Sequence, residues 1–269
     1  MAEHVVPARK QRMAEHGSMP SDSYWTESRR PIVILAFLLP LILAYELCLW
    51  LLLRSRDGVT ISTVEAHKRI LQFFAAFEIA PTGGLFLGGL LIIAVLLVWH
   101  LLVRDSWRFR PWVLGGMAVE SLLLALPLLV MSMVIASQIP AAAAAPMTDL
   151  MDLGIGSRIA ISIGAGLYEE LVFRMLLIAV IHTLLVDVAK LSHAAGMTVA
   201  IVLSAAAFTF YHDLSGLSGA DLAQRMVFYF LAGGYFGILF VARGFGIVVG
   251  VHATYDILTV LIPVFMGGE

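Results

Sequence analysis

The chain has 269 residues, of which 60% are hydrophobic and only 13% are charged, and its mean hydropathy is +0.93. This composition excludes an ordinary soluble domain and indicates that the lipid bilayer is the solvent. A net charge of -2 and a pI near 6.4 exclude the broad basic surface with which nucleic-acid-binding proteins neutralise phosphates. The single cysteine, Cys48, lies in an apolar run and excludes an intrachain disulfide framework.

The first 30 residues are polar and basic, and prolines, a glycine and several serines break any helical periodicity. We predict a disordered tail over residues 1–30. The apolar run that begins at Pro31 is too long for the apolar region of a secretory signal, so it is predicted to be a membrane span.

Further apolar runs follow, most of them long enough to cross about 30 Å of hydrocarbon at about 1.5 Å per helical residue. The sequence therefore predicts an all-α fold, a multi-pass transmembrane helical bundle of about seven spans, within a range of six to eight. The predicted spans are Pro31–Leu53, Leu85–Val103, Trp112–Ser137, Arg158–Val188, Met197–His212, Met226–Val241 and Gly244–Phe265.

Two features between the spans concern the membrane surface. The stretch from Ser62 to Glu78 places its large apolar residues on one helical face and is interrupted by basic residues, which favours an interfacial helix near 62–78. Three arginines lie between Arg104 and Arg110, whereas the loop from Pro140 to Pro146 has no basic residue. The positive-inside rule then predicts a cytoplasmic arginine loop and a cytoplasmic amino terminus.

Charged residues inside the fourth span need a compensating partner. Glu169, Glu170 and Arg174 lie in an otherwise apolar run, and each central charge costs about 2.5 to 3.5 kcal/mol on insertion scales. Glu170 and Arg174 are four residues apart, so they are predicted to form an ion pair along the helix. Glu169 lies about 100° around the helix from Glu170, so it is expected to face another partner or a water-filled cavity.

Two later spans carry further ionisable groups. His212 ends the fifth span, while His252 and Asp256 share one face of the seventh because they are four residues apart. Together with the paired acids, these groups are the parts needed to activate and position a water molecule. The glycines that precede the glutamates predict a break of the fourth span near Gly166, with Glu169 in the first turn of a new helix.

The combined motifs resemble a known family. Two glutamates followed by arginine (Glu169, Glu170, Arg174), phenylalanine four before histidine (Phe208, His212), and histidine four before aspartate (His252, Asp256) occur in this order in successive spans. This pattern is similar to that of the CPBP (CAAX protease and bacteriocin-processing) family of intramembrane endopeptidases, which includes the CAAX prenyl endopeptidases. The resemblance covers roughly Arg158 to Phe265. We therefore predict accessory transmembrane spans over residues 31–156 and a catalytic core over 157–265.

The resemblance implies roles for these residues. Glu169 would act as general base on a water held jointly with His212, and His252 would face the oxyanion. The implied supporting residues are Glu170, Arg174 and Phe208, of which the first two hold the site in shape and the third packs beneath the substrate or the helix that carries His212.

Asp256 departs from the asparagine of the prenyl endopeptidases. An ionised carboxylate cannot donate a hydrogen bond to an oxyanion, so Asp256 cannot be assigned as a donor to the oxyanion. As a neighbour four residues away, Asp256 is expected to orient His252 by accepting a hydrogen bond from one ring nitrogen.

Alternatives to this interpretation stay open. Glu169, His212 and His252 also form a plausible zinc ligand set, although a metal-free glutamate mechanism is favoured and no cofactor is required by it. A proton or ion transporter, or a scaffold for another membrane protein, uses buried acids and histidines as well. We expect a membrane-associated peptide or protein substrate in a bacterial-type cell membrane, without nucleic acid as a partner.

Overall fold

The computed structural model describes residues 23–53, 64–75, 87–137 and 153–265. Every regular element within these ranges is helical. The helices are α1 (Tyr24–Glu27), α2 (Pro31–Cys48, continued by a π-helical turn at Leu49–Leu53), α3 (Glu65–Ala75), α4 (Leu87–Val103), α5 (Trp112–Ala136), α6 (Ile155–Val188), α7 (His193–Tyr211), α8 (Gly219–Arg243) and α9 (Phe245–Phe265).

Six of these helices, α2 and α5 to α9, are long and apolar enough to cross a membrane, and α4 is a shorter apolar helix of 17 residues. The prediction of an all-α, multi-pass bundle with six to eight spans is confirmed. α8 begins earlier than predicted, at Gly219, because polar residues in its first turns made this part of the sequence look like a loop. One of those polar residues, Arg225, lines the cavity described below.

Close helix packing explains why the fourth span does not break at Gly166. α9 packs between α5 and α6, and a Cβ atom at Gly166 would lie 2.9 Å from both Ala253 Cβ and the carbonyl oxygen of Val249. The glycine therefore allows two backbones to approach, which is a usual role of small residues between membrane helices. The predicted break is wrong: α6 stays α-helical through Glu170, and its π-helical stretches, Leu171–Ile178 and Thr183–Val188, come after the glutamates.

The prediction of a disordered tail over residues 1–30 is wrong for residues 23–30. Glu27 is buried and lies 2.6 Å from Arg110, while Arg30 pairs with Asp105 at 2.5 Å. Burial alone raises the pKa of Glu27, but hydrogen bonds and the charge of Arg110 outweigh it and lower the pKa below its ordinary value. Glu27 and Arg30 are thus paired with distant loop residues. Residues 1–22 and the loop Pro140–Pro146 lie outside the described residues.

The predicted interfacial helix corresponds to α3. Its described part ends at Ala75, and its position relative to a membrane surface stays a prediction. Its first turn is inserted into the bundle rather than exposed, since Ala66 and His67 are 2% and 0% exposed. His67 stacks on Tyr168 at a ring distance of 4.3 Å, which explains the burial of a residue that the sequence placed among polar interruptions.

Candidate active site

Three helices bring the predicted site residues together. α6 supplies Glu169 and Glu170, the end of α7 supplies His212, and α9 supplies His252 and Asp256. The close crossing of α6 and α9 at Gly166 and Ala253 sets the two carboxylates of α6 beside the histidine of α9. The side chains of Glu169, Glu170 and His252 are buried, whereas that of His212 is 21% exposed.

One oxygen of Glu169 lies between the two histidines. Oε2 is 4.0 Å from His212 Nε2 and 3.9 Å from His252 Nε2. These separations are too long for direct hydrogen bonds and suit a bridging water molecule. Oε2 is buried and has no hydrogen-bond partner among the described residues, so it is available to such a water.

His212 is held in a defined orientation. Its Nδ1 is 2.8 Å from the carbonyl oxygen of Phe208, and a carbonyl only accepts, so Nδ1–H is the donor. In the neutral ring, Nε2 then carries the lone pair that faces Glu169. Tyr229 stacks on the ring with a centroid distance of 3.8 Å, which fixes the ring plane.

His252 is placed between two carboxylates. Its Nδ1 is 2.6 Å from Glu170 Oε1, and its Nε2 is 3.4 Å from Asp256 Oδ2. Because ionised carboxylates only accept hydrogen bonds, this arrangement fits a ring with a hydrogen on both nitrogens. Phe236 stacks on the ring at 4.5 Å. The hydrogen bond with Glu170 was not predicted, since the sequence suggested only Arg174 as the partner of that acid.

Glu170 and Arg174 form the predicted ion pair along the helix. Arg174 Nε is 3.1 Å from Glu170 Oε2, and both side chains are fully buried. The guanidinium group also donates to the carbonyl oxygen of Gly233, at 3.3 Å, and lies 4.4 Å from the ring centre of Phe208. Phe208 itself contacts the ring of His212 at 4.6 Å, so it packs between the arginine and the histidine.

A cavity of about 420 Å³ opens onto this cluster. Its walls are mainly apolar and aromatic and come from α6, α7, α8 and α9. The lining residues are Arg158, Ile161, Ser162, Ala165, Glu169, Phe208, His212, Arg225, Phe228, Tyr229, Ala232, Phe236, His252, Tyr255, Asp256, Thr259 and Val260.

Two arginines on the cavity wall were missed by sequence reasoning. Arg158 is the first residue of one predicted span, and Arg225 directly precedes another, so the sequence pattern does not single out either residue. Neither guanidinium group forms an ion pair with a carboxylate of the described residues. Arg225 lies one helical turn before Tyr229, the residue that stacks on His212, and this relation is seen only once the helices are packed.

Tyr211 was also missed. Its hydroxyl group lies 3.4 Å from Glu169 Oε1 and accepts a hydrogen bond from the backbone N–H of Ala66 at 2.7 Å. Its place next to His212 did not distinguish it, because the sequence does not show that α3 packs against the end of α7.

The side chains of the zinc alternative lie further apart than two ligands of one zinc ion do. Glu169 Oε2 lies 3.9 and 4.0 Å from the two Nε2 atoms, whereas two ligands about 2.0 to 2.1 Å from a tetrahedral zinc lie about 3.4 Å apart. Across residues 23–53, 64–75, 87–137 and 153–265, no group of three or more histidine, cysteine, aspartate or glutamate side chains is placed to hold a metal ion.

The acids of the other spans have structural partners. Glu46 accepts hydrogen bonds from Tyr168 at 2.9 Å and from the backbone N–H of Gly89 at 3.0 Å. Glu120 pairs with Arg243 at 2.5 Å, at the end of the bundle that also holds α1. Neither side chain lines the cavity, so both serve to join helices.

Comparison with known families identifies one part of the chain. Residues 153–258 match the family model described as type II CAAX prenyl endopeptidase, Rce1-like. All seven predicted site residues lie within this range. No curated protein and no solved structure matches the chain. At a coarse level the match supports an intramembrane endopeptidase and is consistent with the motif resemblance to the CPBP family.

Proposed function

Because residues 153–258 match the Rce1-like family model, we propose that the protein is an intramembrane endopeptidase of the glutamate type, which hydrolyses a peptide bond in a membrane-associated substrate. The observation that carries the proposal is the placement of Glu169. Its Oε2, which has no hydrogen-bond partner among the described residues, lies about equally far from His212 Nε2 and His252 Nε2, and all three residues line the cavity of about 420 Å³.

In the proposed reaction, Glu169 and the Nε2 lone pair of His212 hold the attacking water. Glu169 takes a proton from this water while the water oxygen attacks the scissile carbonyl carbon. Glu169 then transfers that proton to the leaving amine. The peptide bond breaks as the carbonyl re-forms, so each substrate consumes one water and regenerates Glu169. General-base catalysis of this kind contributes about 10²- to 10⁴-fold to a rate.

His252 would stabilise the oxyanion in this scheme. An Nε2–H held between Asp256 and Glu169 can donate to a negative oxygen that develops beside it, which Asp256 itself cannot do. The distances support the expectation that Asp256 orients His252, and they add Glu170 as the acceptor at Nδ1. The aspartate thus serves as a counter-charge, and the absence of an asparagine does not remove the oxyanion donor.

For the substrate, we propose a CAAX-type carboxyl-terminal peptide held at the membrane by a lipid. The apolar cavity walls suit a lipidated, apolar peptide segment. Arg158 and Arg225 offer positive charge on the same walls, which suits a free terminal carboxylate. Specificity of this kind would place cleavage a few residues before the end of the substrate chain.

A proteomic comparison tests the proposed function. Cells that produce the wild type should contain a membrane-associated substrate in cleaved form, and cells that produce Glu169→Ala at equal abundance should accumulate it uncleaved. A cut a few residues before a carboxyl terminus would support the CAAX type. If proton or ion flux, and no peptide product, depended on Glu169, the transporter alternative would replace the protease.

Metal removal separates the glutamate mechanism from the zinc alternative. We expect purified protein to keep its full rate of cleavage after exhaustive chelation, because water activation by Glu169 needs no metal. Elemental analysis of the same sample checks that zinc is gone. Loss of activity on chelation, restored by stoichiometric zinc, would show that Glu169, His212 and His252 act as metal ligands instead.

A further inference from the structure

The side chain of Tyr211 links the carboxylate of Glu169 to α3, a helix outside the matched residues 153–258. Tyr211, the last residue of α7, lies between the first turn of α3 and Glu169. It precedes His212 in the sequence, and its hydroxyl group approaches Oε1 of Glu169, whereas the two histidines approach Oε2. The groups around the Tyr211 hydroxyl determine which hydrogen bonds it accepts and donates.

On one side, the hydroxyl oxygen of Tyr211 receives a hydrogen bond from α3. The first residues of a helix have backbone N–H groups without a partner inside the helix. Ala66 is the second residue of α3, and its N–H lies 2.7 Å from the Tyr211 oxygen. The hydroxyl group thus satisfies an otherwise unpaired donor at the positive end of a helix dipole.

On the other side, the hydroxyl hydrogen of Tyr211 has one acceptor within reach among the described residues. A phenol has a single hydrogen, and the N–H of Ala66 cannot accept it. Glu169 Oε1 lies 3.4 Å away and is the acceptor that the geometry provides. Ala66 N–H therefore donates to the Tyr211 hydroxyl group, which in turn donates to Oε1 of Glu169.

The first turn of α3 is itself fixed at the next residue. His67 Nδ1 is hydrogen-bonded to the Tyr45 hydroxyl group at 2.8 Å, and its ring stacks on Tyr168, which directly precedes Glu169. A Cβ atom at Gly88 would lie 2.6 Å from the Tyr168 hydroxyl oxygen, so α4 also packs closely here. The position of the Ala66 N–H is therefore determined by α2, α4 and α6 together.

We propose that Tyr211 is a positioning residue which, held by the first turn of α3, binds Glu169 Oε1 and so leaves Oε2 as the oxygen that faces His212 and His252. This inference rests on the proposed function, since it assigns which carboxylate oxygen takes the proton from water. It also gives the accessory helix α3, which lies outside residues 153–258, a part in the active site.

The kinetic test compares Tyr211→Phe with the matched control Tyr235→Phe in proteoliposomes, on the substrate that the proteomic comparison identifies. Phenylalanine keeps the ring contact of Tyr211 with Phe173, at 5.2 Å, and removes only the hydroxyl group. Tyr235 also bonds a neighbouring helix through its hydroxyl group, to the carbonyl oxygen of Leu124 at 2.8 Å, but it does not line the cavity.

We expect Tyr211→Phe to lower kcat about 10-fold, as loss of a group that orients a reacting side chain commonly does, with KM changed less than about twofold. Tyr235→Phe should keep the wild-type kcat. Equal kcat values for Tyr211→Phe and the wild type would overturn the positioning role, and so would an equal fall in kcat for both variants, because that would indicate a general structural effect.

Two measurements that do not need activity test the contact itself. Tyr211→Phe should lower the midpoint of thermal unfolding by less in a Glu169→Ala background than in the wild type, because the bond to Glu169 is already absent there. Hydrogen exchange of backbone amides in residues 64–69 should be faster in Tyr211→Phe and unchanged in Tyr235→Phe. Additive midpoint shifts with unchanged exchange would contradict the proposed contact.

The outcomes separate this inference from the proposed function. If Glu169→Ala abolishes cleavage and Tyr211→Phe does not reduce it, the protease assignment stands and the positioning role is wrong. If the wild type cleaves no peptide, the protease assignment fails, and the thermal and exchange measurements alone decide whether Tyr211 holds Glu169.

Discussion

Replacement of Glu169 by glutamine is expected to lower the rate of peptide hydrolysis by about 10²- to 10⁴-fold, which is the range of a lost general base. The amide has the size of the carboxylate but cannot take a proton from water. The amide oxygen can still accept the hydrogen bond that Tyr211 donates to Oε1 of Glu169. Oε2 of Glu169 has no hydrogen-bond partner among the described residues, so its replacement should affect the fold little. The measurement is single-turnover cleavage by purified protein in proteoliposomes, with thermal unfolding of the same samples.

Glu46→Gln is the matched control for this prediction. Glu46 is also a buried glutamate in a membrane span, but it lies outside the cavity and accepts its hydrogen bonds through Oε1. An amide oxygen can accept the same bonds from Tyr168 and Gly89, so we expect a cleavage rate near that of the wild type. A similar fall in both variants would show that any change of a buried acid disturbs the bundle, and Glu169 would lose its assignment as the base.

The sequence predicted those features of the site that are set within one helix. The Glu170–Arg174 ion pair and the approach of Asp256 to His252 follow from a spacing of four residues, which any helix places on one face. The membrane spans could be predicted from the lengths of the apolar runs, because the thickness of the hydrocarbon layer sets a minimum length for a span. These properties are local, so they needed no knowledge of which helices are neighbours.

Features that depend on contacts between helices could not be predicted in the same way. Glu170 and His252 are 82 residues apart in the chain, and Tyr211 and Ala66 are 145 apart. Such pairs form because Gly166 lets α6 and α9 approach and because α3 inserts its first turn, and neither event has a local signature. The same reason accounts for residues 23–30, whose partners lie in the loop around Asp105 and Arg110.

The ordered segment at residues 23–30 also affects how the bundle is closed. Arg243, at the end of α8, bonds Glu120 of α5 and donates to Ser28 at 3.2 Å. Trp25 lies over the same guanidinium group at 4.0 Å. This end of the bundle therefore joins the amino-terminal segment to α5 and α8. The cavity is lined by an earlier part of α8, from Arg225 to Phe236, so the segment supports the site without lining it.

Arg174→Met is expected to be the most destabilising single change near the site. Removal of one partner from a buried ion pair leaves an uncompensated charge and costs about 3 to 5 kcal/mol. Glu170 is fully buried, so water cannot replace the guanidinium group, and the contacts of Arg174 with Gly233 and Phe208 are lost as well. Chemical denaturation in mixed micelles, followed by tryptophan fluorescence, measures the loss of free energy of unfolding.

The chain offers a control of the same geometry in a different solvent environment. Arg69 and Glu65 are also four residues apart and lie 3.6 Å from each other, but their side chains are 69% and 45% exposed. Ion pairs between exposed side chains add little to stability, so Arg69→Met should leave the free energy of unfolding unchanged within error. If Arg174→Met cost no more than Arg69→Met, the buried pair would have no structural role.

A double variant separates the charge of Glu170 from its hydrogen bond. In Arg174→Met with Glu170→Gln, no unpaired charge remains, and the amide oxygen still accepts a hydrogen bond from His252 Nδ1–H. We expect this variant to recover most of the stability lost by Arg174→Met alone, because a buried neutral amide costs less than a buried carboxylate. Recovery of stability without recovery of cleavage would mean that Glu170 acts on His252 through its negative charge, which links the structural ion pair to the reacting groups.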